Sequence, residues 1–151
     1  MRPRQTMSEQ WLIAHERLGD ELWRAVRKLP RGSGVLVLRQ LGPNERRRLR
    51  HAAVLRQLTI VDGACVARVH NARELRVALL RRAGLILISP IHRTRSHPDW
   101  RALPRMHAAA LARLAGRRAI ALGGMNARRY SRIAPLGFIG WAGIDAWLKT
   151  G

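Results

Sequence analysis

Three short apolar runs in the second half of the chain are each followed by a turn of small, polar or hydroxyl-bearing residues. Leu85–Ile88 leads into a loop with histidines and hydroxyls, Ala119–Leu122 into a pair of glycines, and residues 138–144 into an aspartate. In parallel α/β folds, the loops after the carboxyl ends of the strands carry the chemistry. The candidate functional residues are therefore those of the three turns: His92, Thr94, Ser96, His97, Gly123, Gly124, Ile144 and Asp145.

The histidines narrow the chemistry that these turns could perform. His70, His92 and His97 do not have the spacing of a metal site. Each could simply be a loop or capping residue, and the alternative for His92 is that it acts as a proton-transfer base. Asp62, which ends an earlier apolar run, could either bind a metal ion or stabilise a turn. Cys65 lies within another apolar run, which predicts a buried and inert thiol.

The elements that must position these turns alternate between strands and helices. Apolar runs of four to eight residues are typical of strands buried on both faces of a parallel sheet. Seven strands are predicted, near residues 11, 34, 58, 66, 85, 119 and 138, and helical spacers separate all but the third and fourth. Asn44 and Asn71 are predicted to cap helices, and another helix begins near Asn126.

This alternation predicts an α/β fold, a (β/α)8 TIM-barrel-like domain with about one βα unit reduced or missing. Such a barrel typically has about 250 residues, whereas this chain has 151. Only three residues separate the third and fourth strands, too few for a parallel crossover. The resulting unpaired edge must be covered. Either a partner subunit covers it, in a homo-oligomer, or residues 65–69 close the barrel by replacing both missing neighbours.

The charge of the chain is extreme, with a formal net charge of +20 and a pI near 12.0. Only Lys28 and Lys149 are lysines, so 27 of the 29 basic residues are arginines. GC-rich coding explains such a bias more easily than selection for a basic face does. The arginines are spread from Arg2 to Arg132, without zinc-finger spacing or a zipper heptad. We therefore do not expect nucleic acid to be the partner.

The length and hydropathy of the chain predict one domain. Residues 1–9 are expected to form a flexible N-terminus and residues 10–150 a single domain, since 47% of the residues are hydrophobic. No apolar run approaches the roughly 20 residues that span a bilayer. With a single cysteine there is no internal disulfide framework. We expect a cytoplasmic protein that does not enter a membrane.

The three turns resemble the last three strand ends of the thiamine phosphate synthase/TenI family. The resemblance is carried by SPIHRTRSHP at residues 89–98, ALGGM at 121–125 and GWAGID at 140–145. It implies a TIM barrel. The family's synthases join a hydroxymethylpyrimidine diphosphate to a thiazole phosphate and release pyrophosphate with Mg²⁺. Its TenI branch is a thiazole tautomerase that transfers a proton through a histidine.

The resemblance implies a phosphate site at the second and third turns. Backbone N–H groups of Gly123 and Gly124 would bind the thiazole phosphate, because glycine permits a close approach and a helix N-terminus favours an anion. Ile144 and Asp145 would complete this site, although the family usually has a serine where Asp145 stands. A carboxylate there is unfavourable unless it caps the helix and points away from the phosphate.

The other implied contacts concern the diphosphate. Thr94 and Ser96 would lie in the pyrophosphate-binding loop, and His97 stands where synthases commonly have lysine, which would make that contact weaker or pH-dependent. Arg39 matches the phosphate-contacting arginine after the second strand. Leu41 stands where that motif has a lysine.

The resemblance also implies a magnesium site. Asp62 matches the metal-binding aspartate after the third strand, but His70 and Asn71 occupy the place of the second aspartate. Since Mg²⁺ prefers carboxylate oxygens, this substitution weakens the expected site.

Three functions follow from these features, all with phosphorylated small molecules as ligands. The first is a thiamine phosphate synthase-like transferase. The second is a TenI-like thiazole tautomerase, which His92 and His97 favour. The third is a non-catalytic, phosphate-ligand-binding relative, favoured by Leu41, the missing βα unit and the absent second aspartate.

Overall fold

The computed structural model describes residues 8–95 and 97–148, without the side chain of Arg17. It contains seven strands and, in the described ranges, six α-helices. The strands are β1 (Gln10–Ala14), β2 (Gly34–Val37), β3 (Thr59–Asp62), β4 (Val66–Val69), β5 (Leu85–Ile88), β6 (Ala119–Leu122) and β7 (Gly140–Gly143). The helices are α1 (Glu21–Lys28), α2 (Pro43–Arg56), α3 (Ala72–Leu80), α4 (Arg105–Ala115), α5 (Ala127–Ile133) and α6 (Asp145–Leu148).

All seven strands are parallel and form one sheet in the order β3-β2-β1-β7-β6-β5-β4. The two edge strands, β3 and β4, are joined by only the 3-10 turn Gly63–Cys65. In a flat sheet of this order the edges would lie about 29 Å apart, whereas three residues span at most about 14 Å. The sheet must therefore curl, and the predicted TIM-barrel-like, shortened α/β fold is confirmed.

The residues on either side of this turn bridge the two halves of the sheet. Thr59–Asp62 pair with β2, and Val66–Val69 pair with β5. The continuous segment 59–69 therefore bonds to β2 through its first half and to β5 through its second. The prediction that residues 65–69 replace both missing neighbours is therefore wrong, because within the described residues 66–69 pair with β5 and the place beside β2 is taken by residues 59–62. This divided pairing leaves the outer face of the segment without a crossover helix of its own.

Two apolar layers enclose the sheet. One lies inside the curl and contains Trp11, Ile13, Leu36, Leu85, Leu87, Ile120 and Ala142. The other lies between the sheet and the helices. Alternation along the strands assigns side chains to the two layers, because neighbouring residues of a strand point to opposite faces. In β5, Leu85 and Leu87 enter the inner layer, whereas Ile86 and Ile88 pack in the outer one.

Local hydrogen bonds begin the helices that follow β4 and β6. The side chain of Asn71 accepts a hydrogen bond from the backbone of Glu74 at 2.9 Å, which confirms it as the cap of α3. Asn126 caps α5 in the same way, accepting from the backbone of Arg129 at 2.8 Å. Both asparagines end short loops that follow β4 and β6, so the caps help to define the loops at the carboxyl edge of the sheet.

The predicted cap of α2 is wrong. The helix begins at Pro43 after Gly42, one residue before Asn44. Proline is favoured at a first helical position, where its missing N–H is not needed. The backbone N–H of Gly42 also donates to the carboxylate of Glu45 at 3.2 Å. The proline and this hydrogen bond start the helix, and no side chain of the N-cap residue takes part.

The expected burial of Cys65 is also wrong, since this residue is exposed. Its apolar neighbours predicted a strand buried on both faces. In the fold, no α-helix follows β3, so the turn that carries Cys65 faces outward without cover.

The described part of the N-terminus is bonded to the sheet. The hydroxyl of Ser8 donates to the carbonyl of Gly32 at 2.7 Å, and the backbone N–H of Trp141 donates to the carbonyl of Glu9 at 2.9 Å. Residues 1–7 of the predicted flexible segment lie outside the described residues. No helix in the described ranges is long and apolar enough to cross a membrane.

Candidate functional site

The fold brings the three predicted turns together at the carboxyl edge of the sheet. The backbone N–H of Ile91, after β5, donates to the carbonyl of Leu122 at 2.9 Å. The next N–H, of His92, donates to the carbonyl of Gly123 at 3.1 Å. A Cβ built on Gly143, at the end of β7, would lie 3.6 Å from the carbonyl oxygen of Met125. The turns after β5, β6 and β7 are therefore neighbours.

Only glycine suits the two central positions of this site. Gly123 and Gly124 have φ values of +107° and +60°. A Cβ on Gly123 would lie 3.0 Å from the backbone nitrogen of Ile91, and one on Gly124 would lie 3.1 Å from Cβ of His92. Gly123 is buried and Gly124 is exposed. The turn thus presents the backbone of Gly124 to solvent beside the loop that carries His92.

His92 lies beside this turn, since a Cβ built on Gly124 would lie 3.1 Å from the Cβ atom of His92. It is half-buried, and the pKa of its imidazole is lowered, first by burial and then by the positive charges of Arg129 and Arg132. The ring is therefore neutral at neutral pH and has a nitrogen free to accept a proton. A neutral base next to an exposed glycine turn can act on a ligand bound there.

Arg129 is a site residue that the sequence analysis missed. Its guanidinium donates to the carbonyl of Gly124 at 2.5 Å, so its positive charge lies directly at the glycine turn. The signal available in the sequence was the position of Arg129 in the first turn of the helix that follows the two glycines, three residues after the cap Asn126. The exposed arginine provides the electrostatic attraction that an anionic ligand at Gly124 would need.

The turn at Ile144 and Asp145 follows β7 and is a neighbour of the glycine turn. Ile144 is half-buried, and Asp145 is the exposed first residue of α6. A carboxylate in the first turn of a helix interacts favourably with the helix dipole. This position gives Asp145 a structural role in starting α6, beside the glycine turn.

The loop after β5 continues into a cluster of rings. The Thr94 hydroxyl accepts a hydrogen bond from the backbone of His97 at 3.2 Å. The His97 ring stacks on Trp100 with centroids 4.1 Å apart, and His70 meets the same indole edge-on at 5.5 Å. Trp100 is 46% exposed. Ser96 lies outside the described residues.

His70 links this cluster to α3. Its Nδ1 atom lies 2.9 Å from the carboxylate of Glu74. The hydrogen bond from His70 is the main cause that lowers the pKa of Glu74. The position at which the family resemblance places a second metal-binding aspartate is therefore occupied by a histidine held by a neighbouring carboxylate.

Arg39 has an acidic partner near its own strand end. Its guanidinium forms an ion pair with Glu45, close to the beginning of α2. The side chain is 14% exposed, and its buried Nε atom has no hydrogen-bond partner within the described residues. Arg39 lies after β2, whereas the three neighbouring turns follow β5, β6 and β7.

The residues around Asp62 do not form a magnesium site by themselves. The carboxylate of Asp62 accepts a hydrogen bond from the backbone of Ala64 at 2.9 Å, as expected of a turn residue. Within the described ranges, no group of three or more histidine, cysteine, aspartate or glutamate side chains could hold a metal ion. Asp62 thus supplies at most one carboxylate, so a magnesium ion at this place would depend on the phosphate oxygens of a ligand.

The fold and the site define a shortened TIM-barrel-like α/β domain with a glycine turn at its carboxyl edge. No protein-family model matches the chain, and no curated protein does. Several solved structures are similar in fold, and two of them are thiamine phosphate pyrophosphorylases. One is a thiamine phosphate pyrophosphorylase from Pyrococcus furiosus, with a TM-score of 0.70 and 12% identity, covering 96% of this chain and 90% of that one.

The second is a thiamine phosphate pyrophosphorylase from Bacteroides thetaiotaomicron, with a TM-score of 0.56 and 14% identity. The match covers 96% of this chain and 87% of the other. The two likenesses support a thiamine phosphate synthase/TenI-like fold relationship, in agreement with the resemblance of the three turns. At these identities they concern the fold and not the activity.

Proposed function

We propose that this chain is a thiamine phosphate synthase-like transferase. It would join hydroxymethylpyrimidine diphosphate to thiazole phosphate and release pyrophosphate, as the family resemblance of the three turns implies, and two of its structural neighbours are thiamine phosphate pyrophosphorylases. The observation that carries the proposal is the meeting of the turns after β5, β6 and β7 around Gly124. We expect this work to be done in the cytoplasm.

The thiazole phosphate would bind at the exposed backbone of Gly124. The glycine allows a phosphate to approach the main chain closely, and the Arg129 guanidinium supplies a positive charge at the same place. Arg93 is exposed in the adjoining loop and adds to the positive potential. The loop that carries Thr94 and His97 would contact the diphosphate of the other substrate.

The proposed reaction breaks one bond and forms another at the same carbon. The C–O bond between the pyrimidine methylene and the diphosphate breaks, and the pyrophosphate leaves with the bonding electron pair. The thiazole nitrogen then donates its lone pair to the carbocation-like methylene. The chain would contribute mainly electrostatic stabilisation and positioning of two anionic ligands. When bound, magnesium would neutralise charge on the diphosphate, with Asp62 as its one protein carboxylate.

A second candidate function is favoured by His92. Its neutral imidazole lies beside the glycine turn, which suits proton transfer on a ligand held there and thus a TenI-like thiazole tautomerase. This reaction would need neither the diphosphate nor a metal ion. The locked Arg39–Glu45 pair matters less for this function, because no second anion has to be bound.

The decisive measurement is pyrophosphate release by the purified protein given both substrates, with and without Mg²⁺. Release that requires both substrates supports the synthase. The variant Gly124→Ala should lower the release rate by restricting the approach of the phosphate. Gly84→Ala serves as its control, because the added Cβ would meet only ordinary contacts, the nearest at 3.4 Å. Circular dichroism checks that each variant is folded.

The absence of release from a folded protein would contradict the synthase proposal. Proton exchange on thiazole phosphate, lost in His92→Gln, would then support the tautomerase. Calorimetric binding of thiazole phosphate without either reaction would leave the non-catalytic, phosphate-binding relative. If the protein did not bind this ligand, all three functions would be wrong.

A further inference from the structure

The missing helix between β3 and β4 leaves a cavity in the outer wall of the barrel. It has a volume of about 600 Å³ and lies between residues 64–68 and the C-terminal half of α3. In a complete βα repeat a helix would cover a strand's outer face here. We name this cavity the α3 groove. It lies on the outside of the sheet, whereas the glycine turn lies at the carboxyl edge.

The α3 groove has an apolar floor and a cationic rim. Cys65, Ala67, Val77 and Ala78 contribute apolar surface, and Val77 is 43% exposed although it lies on a helix packed against the sheet. Three exposed arginines, Arg68, Arg81 and Arg82, also line the cavity, and we call them its rim. Among the lining residues, Glu74 is the one acid, and it is already bonded to His70.

Arg82 stands where the chain would favour glycine. Its φ is +56°, directly after α3, where the backbone N–H of Arg82 donates to the carbonyl of Leu79. Glycine is the usual residue in this left-handed position at a helix end. A residue other than glycine has a backbone cost in this conformation, and the arginine found here adds a positive charge among the lining residues of the groove.

We propose that the α3 groove binds an acidic amphipathic helix of another protein. The apolar side of such a helix would cover Val77 and the outer face of β4, and its carboxylates would meet the three arginines of the rim. A helix is about 10–12 Å wide with its side chains, which is the size of the element that a complete barrel has at this place. An apolar helix face in a hydrophobic groove is a common recognition mode.

Charge argues against a second copy of this chain as the occupant. A symmetric contact would bring the same arginine rims face to face, in a protein with a net charge of +20. The lining argues against nucleic acid. It contains no aromatic ring on which a base could stack, and its apolar floor offers nothing to a phosphate backbone.

The single cysteine of the chain provides a direct assay. Cys65 is exposed and lines the groove, and the sequence contains no other thiol. The rate of its reaction with a thiol reagent therefore reports the accessibility of the groove alone. The probe is a synthetic acidic amphipathic peptide of about 15 residues, long enough to form a helix. The rate should fall in proportion to the bound fraction at physiological ionic strength.

Two pairs of variants separate specific binding from general attraction to a basic protein. The double variant Arg81→Glu with Arg82→Glu should lower the affinity for the peptide by roughly tenfold or more, because it reverses two charges of the rim. Arg46→Glu with Arg47→Glu makes the same change in charge on exposed residues of α2 outside the groove. Val77→Ser should also weaken binding, whereas Leu80→Ser, on the same helix but outside the lining, should not.

Several outcomes would overturn the proposal. Equal weakening by the two charge-reversal pairs would mean general electrostatic attraction. Protection of Cys65 by duplex DNA but not by the peptide would identify nucleic acid as the partner. Protection that increases with protein concentration alone, together with a dimer in sedimentation, would identify a second copy. Unchanged reactivity of Cys65 at saturating peptide would mean that the groove binds no such helix.

Discussion

The indole of Trp11 occupies the space beside Gly34 on the neighbouring strand. The two residues are register partners on β1 and β2, and a Cβ built on Gly34 would lie 2.1 Å from Cε3 of Trp11. The tryptophan is 1% exposed, and its Nε1 atom donates to the carbonyl of Ser8 at 2.8 Å. The inner layer of the barrel thus depends on a pair of one very large and one very small residue.

Gly34→Ala should therefore destabilise the protein. The added methyl group would displace the indole, and overpacking of a core typically costs about 1–3 kcal/mol. The free energy of unfolding in urea measures this cost. Gly84→Ala is the matched control, because its nearest contact, the carbonyl oxygen of Cys65, would lie at an ordinary 3.4 Å. Equal stability of the two variants would contradict the packing described for Trp11.

The lowered pKa of His92 predicts a pH dependence of stability. Burial is its first cause, followed by the charges of Arg129 and Arg132. Because the unfolded chain binds this proton more readily, the free energy of unfolding should fall as the pH drops below the unfolded value of about 6.5. The loss ends once the pH is below the lowered pKa of the folded state.

His92→Gln should flatten this part of the stability profile. Urea unfolding at a series of pH values measures the slope for the native protein and the variant. His107→Gln is the control, since His107 is exposed on α4. A variant at position 92 with the same slope as the native protein would show that another group dominates the acid response.

Trp147 should hold the C-terminal helix through one hydrogen bond and one stacking contact. Its Nε1 atom donates to the carbonyl of Trp11 at 3.3 Å, and its ring stacks on Trp141 with centroids 5.1 Å apart. Trp147→Phe removes the bond but keeps an aromatic ring, so we expect a loss of about 1 kcal/mol. Trp147→Ala also opens a cavity and should cost about 3–5 kcal/mol. Unfolding in denaturant measures both losses. Equal losses in the two variants would contradict the larger effect expected for Trp147→Ala.

Salt should stabilise this protein. The structure shows an ion pair between Arg39 and Glu45 and a contact between His70 and Glu74, whereas the formal net charge of the chain is +20. Several arginines donate instead to backbone carbonyls, as Arg56 does to Leu29. Raising the salt from about 0.01 M to 0.15 M shortens the Debye length from about 30 Å to 8 Å and screens the repulsion. The Tm should therefore rise.

Removal of two positive charges should reduce this effect. Arg46→Gln with Arg47→Gln changes exposed residues of α2 and lowers the net charge without a change in the barrel core. Thermal unfolding of this variant should show a smaller rise of Tm over the same salt range. A Tm of the native protein that falls with salt would mean that ion pairs outweigh the repulsion.

The amino-acid sequence by itself determined the strands, most of the helix caps and the edge of the sheet that carries the site. These features depend on local properties. Apolar runs such as Leu85–Ile88 form buried strands wherever the sheet places them, and Asn71 needs only the next three residues to cap α3. The meeting of the turns around Gly124 followed from a general rule, because parallel strands end at the same edge.

Only the tertiary structure decided how the barrel closes and which side chains meet. The exposure of Cys65 depends on the absence of a helix over segment 59–69, which is a property of the curled sheet and not of the apolar run itself. The contacts of Arg129 with Gly124 and of His97 with Trp100 depend on loop conformations. These partners are close in the chain, yet their contacts are not encoded in the period of the sequence, because they form only when the folded loops fix the backbone and thereby the directions of the side chains.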